Sequence, residues 1–385
     1  MIEYIKEIDP KYLADKKILV RVNLDVPVVD GKIAENFRIK SHKEIIDFLL
    51  GCGAKIMLIS HLGHEVSKAS FLPVVEQIGE ILNQTLTLVP HSEIESADLL
   101  FQKCPALILD NLRQDPREVE NDAAFAQKLT KGFDLYANDA FAVVHREHSS
   151  VVAVAKHLPS YAGPLIKKEI DNLERVMGAP AEGKIIALGG AKIPTKMPVI
   201  KNFIDKAEKI LVGGALANDF FRARGINIGA SLTDNVVFPD ARSENIILPR
   251  DFITGDRDGN PDSVKLYKKV SSVGAGEAIL DIGPETAEEW AEIIRRSRMV
   301  IWNGPMGYCE VKNFEEGTEV IAGAVAKAEY SVIGGGDTIA AADRFGLLDK
   351  YSFVSTGGGA MLEFLAGKEL PGLKALETNS KAQIN

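Results

Sequence analysis

The sequence predicts an α/β protein built from mostly parallel sheets flanked by helices, in more than one domain. Three observations carry this. Short apolar, β-branched runs alternate with longer amphipathic segments along the whole chain. The residues that follow those runs are polar or cationic in the first half and glycine-rich in the second. In open α/β sheets that rim, outside the carboxyl ends of the strands, is where ligands bind. Finally, 385 residues are too many for one ordinary core, so two domains are expected.

In the first half, residues 18–22 read as a strand ending in Asn23-Leu24-Asp25-Val26-Pro27, and residues 55–60 as a second ending in His61-Leu62-Gly63-His64. Residues 106–109 run into Asp110-Asn111-Leu112-Arg113. Residues 135–137 run into Asn138-Asp139-Ala140-Phe141, followed by His145-Arg146-Glu147-His148. Helical periodicity fills the gaps, at 41–50 and 71–82. All seven histidines precede residue 160, and Arg38, His61, His64, Arg113 and Arg146 fall on or near strand ends. Forked guanidinium groups suit carboxylate and phosphate, so this rim is expected to bind a small anion. Asn23 and Asp25 also fit a plain turn cap before Pro27.

Residues 165–177 form an amphipathic helical pattern that closes with Gly178-Ala179-Pro180, and the domain boundary is placed there. Strand-like runs follow at 185–188, 210–212, 279–282, 299–302, 331–333 and 352–354. Their turns carry Gly189-Gly190, Gly213-Gly214, Gly283, Gly304, Gly334-Gly335-Gly336 and Gly357-Gly358-Gly359. Glycine at a strand end lets backbone approach a ligand closely, and six such turns in one domain suggest a nucleotide cradle. The run from Tyr330 to Asp343 reads as strand, glycine turn and helix start, a ready anion site, with Asp337 placed for a metal that accompanies phosphate. Lys192 and Lys196 are four residues apart at a helix start, a spacing that can put both ammonium groups on one face. Residues 320–330 read as a helix without functional signal, and Trp290 and Trp302 as packing residues.

Composition narrows the class. Hydrophobic content of 46% and charged content of 26% are those of a soluble globular protein. A net charge of −9 argues against nonspecific nucleic-acid binding. Cys52, Cys104 and Cys309 are scattered without a C-x-x-C, which argues against a disulfide framework or zinc site. The charged N-terminus lacks a signal-peptide core and no apolar run could span a bilayer, so a cytoplasmic protein is expected. Walker A, G-x-G-x-x-G, G-x-S-x-G and H-E-x-x-H motifs are all missing.

The motifs together resemble phosphoglycerate kinase over essentially the whole chain. They are I-L-V-R-V-N-L-D-V-P (18–27), N-F-R-I (36–39), S-H-L-G (60–63), D-N-L-R (110–113), N-D-A-F (138–141) and H-R-E-H-S-S (145–150). The second half adds L-G-G-A-K-I-P-T-K (188–196), D-I-G-P-E-T (281–286), W-N-G-P-M-G (302–307), G-G-G-D-T (334–338), S-T-G-G-G-A (355–360) and L-E-F-L-A-G-K-E-L-P-G (362–372). The resemblance implies two Rossmann-like lobes joined by a hinge helix: residues 1–160 binding the acid substrate, 161–178 connecting, and 179–372 binding nucleotide. The tail, 373–385, would return to the first lobe. By position, Asn23, Asp25, Arg38, His61, His64, Arg113 and Arg146 would hold 3-phosphoglycerate or its acyl phosphate. Lys192 and Lys196 would hold nucleotide phosphates and the phosphoryl group in flight, making them, with Arg38, the catalytic set. Gly190, Gly213, Gly214 and Asn303 would form the nucleotide pocket, Glu310 would bond the ribose, and Gly334, Gly335, Gly336, Asp337 and Thr338 the phosphates, with Asp337 near magnesium. ATP or ADP and Mg2+ are the implied cofactors, and a monomer without nucleic-acid or membrane partners the implied state.

This chain departs from the family at three places. The family usually reads Asp-Phe-Asn where Asn23-Leu24-Asp25 stands, so carboxylate and amide are exchanged. An arginine after H-L-G is replaced by His64, a donor only partly protonated near neutral pH. Ile279 stands where a glycine often faces the adenine. Two rival functions remain at this point: a same-fold kinase for another phosphorylated acid, and a nucleotide-binding homologue with little turnover.

Overall fold

A computed structural model describes residues 1–63, 66–234, 243–256, 260, 263–267 and 273–379. The chain forms two compact units, Met1–Asp171 together with the residues from Glu369 onward, and Asn172–Lys368. Helix Pro164–Gly178 runs through the point of division.

The first unit is organised by a six-stranded sheet. Its spatial order is Thr87–Val89, Ala106–Leu109, Lys55–Ile59, Lys17–Arg21, Leu135–Asn138, Ser160–Ala162, and every pairing is parallel. Central strands covered on both faces read as unbroken apolar runs, which is why K-I-L-V-R and K-I-M-L-I are buried from their second residue. The chain leaves the 17–21 strand on one side first and returns to its other side only at 135–138. That reversal opens a crevice where Val22–Pro27 and Asp139 emerge. Helix Pro371–Asn379 belongs to this unit, with Gly372 N–H donating to Val144 O at 2.8 Å.

Two expected helices differ in detail. Instead of one helix over 41–50, helices Phe37–Ser41 and Lys43–Gly51 meet at His42, whose ring is bonded elsewhere. The 71–82 pattern becomes helical only at Val75. Asp110 holds Ser70 Oγ and Phe71 N–H, both at 2.9 Å, and keeps that turn out of the helix.

The second unit carries another six-stranded parallel sheet, ordered Ile246–Ile247, Lys209–Val212, Lys184–Leu188, Met299–Asn303, Ser331–Gly334, Phe353–Ser355. In chain order this is 3-2-1-4-5-6, the doubly wound dinucleotide-fold arrangement, and its switch point lies between Lys184–Leu188 and Met299–Asn303. Residues 279–282 do not join it. Strand Ala278–Ile282 pairs antiparallel with Phe252–Gly255, which also pairs with Lys265–Tyr267, in a small separate sheet. The 320–330 helix lies earlier, at Glu316–Val325. Trp290 and Trp302 are buried in this unit's core. Among the described residues no helix is long and apolar enough to cross a membrane.

Candidate active site

In the first unit the polar residues at the strand ends are tied into one cluster. Asn23 Oδ1 accepts the Asp25 N–H at 3.3 Å, so the turn-cap reading holds for its side chain. Asp25 reaches across to the neighbouring strand end. Its Oδ1 accepts from Gly63 N–H at 2.9 Å and its Oδ2 faces His61 Nε2 at 3.7 Å. Arg38 Nη1 donates to the Asp25 carbonyl at 2.7 Å. Arg113 Nη1 donates to the Gly63 carbonyl, while its buried Nε and Nη2 have no partner among the described residues. Arg113 is 1% exposed, so those N–H groups are a standing demand for an acceptor. Arg146 Nε lies 3.4 Å from His145 Nε2, and its charge acts on both His61 and Arg113. His64 lies outside the described residues.

Electrostatics follow from this crowding. Burial, with Arg146 and Arg21 nearby, brings the Arg113 guanidinium down to about 10. Burial and the surrounding arginines hold His61 well below the ordinary imidazole range, and His148 falls to about 3. His61 is therefore neutral near pH 7. Its Nδ1 accepts from Arg21 Nη2 at 3.1 Å, which leaves the proton on Nε2, facing Asp25.

Sequence reading passed over the support beneath this cluster. Arg21, fully buried at the end of a core strand, donates through Nε to Ser150 Oγ at 3.0 Å, and Ser150 Oγ donates to buried Glu118 at 2.6 Å. The signal was available: an arginine inside I-L-V-R-V interrupts a run that is otherwise wholly apolar.

In the second unit the glycine turns converge at the switch point. Gly189 N–H donates to Asn303 O at 3.0 Å, Gly190 N–H to Pro305 O at 2.7 Å and Gly214 N–H to Met306 O at 3.0 Å. A Cβ on Gly214, whose φ is +57°, would stand 2.5 Å from Gly190 N, so these turns pack backbone on backbone. Asn303 and Thr338 brace the floor. Asn303 Nδ2 donates to Gly334 O at 2.8 Å and Gly304 N–H to Thr338 Oγ1 at 2.7 Å. Helix Gly336–Arg344 begins here, with Gly335 at φ +98° before it. Its first-turn amides lack intrahelical acceptors.

Lys192 is the exposed N-cap of helix Ile193–Phe203, outside the helix proper, whereas Lys196 sits one turn in and is 6% exposed. Burial lowers the Lys196 ammonium to about 8, with exposed Asp337 pulling it up and Lys192 pushing it down. A cavity of about 350 Å³ opens beside these groups. Gly190, Gly214, Ile279, Tyr308, Glu310 and Asp337 are among its walls. Gly213 lies just behind the wall, where a Cβ would meet Met306 Sδ at 2.7 Å. The volume suits a small-molecule ligand, and a mainly apolar wall ending in an amide-rich, cationic corner suits a base at one end and phosphate at the other. Asp281, unforeseen from sequence, lines the same cavity. It accepts from Ile282 and Gly317 N–H, both at 2.8 Å, and burial raises its carboxyl well above the usual range.

The family model described as phosphoglycerate kinase matches residues 5–368. The chain belongs to the phosphoglycerate kinase family. The phosphoglycerate kinase of Moorella thermoacetica is 38% identical over 381 residues, covering 94% of this chain and 97% of the relative. That of Chloroflexus aurantiacus is 40% identical over 387 residues, covering 94% and 96%. Among solved structures, the Coxiella burnetii phosphoglycerate kinase superposes with a TM-score of 0.82 at 33% identity, covering 99% of this chain and 100% of that one. The Pyrococcus horikoshii phosphoglycerate kinase gives 0.87 at 30%, covering 98% and 99%. The phosphoglycerate kinase resemblance read from the motifs, and the α/β architecture of two parallel-sheet units, therefore stand.

Proposed function

We infer that this chain is a phosphotransferase with a carboxyl acceptor. It moves a phosphoryl group reversibly between 1,3-bisphosphoglycerate and ADP, giving 3-phosphoglycerate and ATP, as a step of glycolysis and gluconeogenesis in the cytoplasm. Membership of the family over residues 5–368 supports the reaction. The observation that carries the assignment of the transfer site is Lys196: a buried ammonium held down to about 8, where Gly190 and Gly304 turn. A lysine kept in so poor a place for its charge is ready for a strongly anionic ligand.

In the direction of ATP use, the nucleophile is a carboxylate, ionised well below neutral pH. No general base is needed, which agrees with a neutral His61 paired to Arg21. Rate enhancement then comes from alignment and charge stabilisation. Arg38 and Lys196 are assigned to the transferring group, with Lys192 and the glycine-turn amides in support. Arg113, Arg146 and His61 hold the distal phosphate and carboxyl end, with Asn23 and Asp25 shaping the turn between them. Gly190, Gly213, Gly214 and Asn303 shape the nucleotide pocket, Glu310 takes the ribose hydroxyls, and Gly334 to Thr338 take the phosphates. Magnesium, bound with the nucleotide, supplies neutralisation of phosphate charge. One exposed carboxylate, Asp337, fits an ion that keeps most of its ligands as water and phosphate oxygen. Closure about helix Pro164–Gly178 and a monomeric state are parts of the same proposal.

A coupled steady-state assay with ATP, Mg2+ and 3-phosphoglycerate tests it, run against other phosphorylated carboxylic acids. Turnover with 3-phosphoglycerate above all others is expected. Preference for another acid would assign the exchanged Asn23 and Asp25 to a different substrate. Nucleotide binding without transfer to any acid would refute the enzyme.

A further inference from the structure

The break between helices Phe37–Ser41 and Lys43–Gly51 places His42 under the acid-binding cluster. It is 1% exposed. Its Nε2 lies 2.9 Å from the Asn23 backbone N, and its Nδ1 lies 2.8 Å from Asp139 Oδ2. A backbone N–H can only donate, so Nε2 accepts and the ring proton sits on Nδ1, donated to Asp139. The other oxygen of Asp139, itself fully buried, accepts Leu165 N–H at 2.8 Å. Gly163 passes so close that a Cβ there would stand 2.1 Å from that oxygen, which fixes the carboxylate in place.

Resting on the reading of the 23–25 turn as part of the acid pocket, we propose that His42, oriented by Asp139, is a positioning residue for the acid substrate. It holds the main chain at Asn23, and through it the turn whose Asp25 meets Gly63 and His61 and whose carbonyl holds Arg38. The bond depends on the tautomer. Asp139→Asn keeps an acceptor for Leu165 but offers an N–H to Nδ1. The ring proton then moves to Nε2, where donor faces donor at Asn23.

The test compares wild type, Asp139→Asn, His42→Ala and His42→Gln by steady-state kinetics and by calorimetric titration with 3-phosphoglycerate. Asp139→Asn and His42→Ala should raise the KM and Kd for 3-phosphoglycerate at least about fivefold, with the KM for ATP within about twofold. His42→Gln, which retains one donor and one acceptor, should recover most of the loss. Asp139→Asn is nearly isosteric and keeps the test open should His42→Ala not fold. A folded Asp139→Asn with wild-type affinity for 3-phosphoglycerate overturns the proposal, as does an equal loss toward ATP. Wild type that binds 3-phosphoglycerate without turnover would refute the kinase reading alone, and the Kd values would still decide the role of His42. Wild type that binds none refutes both.

Discussion

Replacing Lys196 by methionine should make the protein more stable and nearly inactive. The ammonium is 6% exposed and burial brings it from an ordinary value of 10.5 to about 8. At pH 7 it is protonated in both folded and unfolded chains, so the folded state carries the whole penalty, about 3 kcal/mol at about 1.4 kcal/mol per pH unit. The sign is that of a depressed cationic group. Between about pH 8 and 10.5 the unfolded chain binds more protons than the folded one, so wild-type stability rises with pH across that window. Lys196→Met should therefore be about 1–3 kcal/mol more stable at pH 7, a rise of roughly 3–10 °C for a unit of about 200 residues, and the gap should narrow from about pH 8 and close above about pH 10.5. Both tryptophans of the chain, Trp290 and Trp302, are buried in this unit's core, so denaturant titration followed by their fluorescence reads the right part of the molecule. In the same preparation kcat should fall at least about tenfold. A variant no more stable than wild type at pH 7, or a gap that ignores pH, would refute the placement of a costly charge here. Wild-type turnover would remove the lysine from the chemistry.

Arg113→Gln should raise the Kd for 3-phosphoglycerate at least about tenfold by calorimetry, since the anion loses the charged donors on Nε and Nη2. Its melting temperature should fall little, because the guanidinium it removes is itself disfavoured by burial and by Arg146. Asp25→Asn keeps an acceptor for Gly63 N–H but removes a negative charge from an anion pocket. The KM for 3-phosphoglycerate should drop about two- to fivefold at low salt, and a rise would mean that the carboxylate is itself a substrate ligand. Gly214→Ala forces a φ of +57° on a side chain whose Cβ meets Gly190 N at 2.5 Å. It should destabilise the second unit by about 1–3 kcal/mol and raise the KM for ATP, and an unchanged tryptophan unfolding curve would contradict the close packing of these turns.

The parts of this molecule that could be read in advance are those governed by local pattern. K-I-L-V-R and K-I-M-L-I announce buried parallel strands because both faces are covered, and the glycines after 185–188 and 331–333 announce close backbone approach. The candidate site residues Asn23, Asp25, Arg38, His61 and Arg113 were legible as rim positions, but not which of them would be spent on each other. Asn23 turns out to cap its own turn, whereas Arg113 keeps two nitrogens without a partner among the described residues. What stayed hidden is long-range. His42 sits in a sequence that is helical on both sides, and only the approach of Asn23 and Asp139 explains the break there. Asp110 shortens the next helix from a distance of 39 residues. The strand at 278–282 has the apolar content of the parallel strands and goes antiparallel because its partner is Phe252–Gly255, itself paired on its other edge with Lys265–Tyr267, and no periodicity reveals these two short strands.

The two pockets solve one electrostatic problem in different ways. On the proposed function each must present uncompensated positive charge to an anion, yet uncompensated charge in a folded interior is costly. The second unit concentrates the cost on Lys196 and otherwise uses main-chain amides, which carry partial charge without a titratable proton. The first unit gathers Arg21, Arg38, Arg113 and Arg146 and keeps His61 and His148 neutral among them. A neutral imidazole can accept from Arg21 on one nitrogen and point an N–H at Asp25 from the other, so it links a cation to a carboxylate without adding to the repulsion among the arginines. An imidazolium in its place would still point Nε2–H at Asp25 but could not accept from Arg21, because Nδ1 would become a donor facing a donor, and it would add a charge to the arginines around it. The histidines of this cluster therefore serve as dipoles among fixed charges. The guanidiniums remain charged at any pH the protein meets, while the groups between them give up their protons so that the cluster can exist before the substrate arrives.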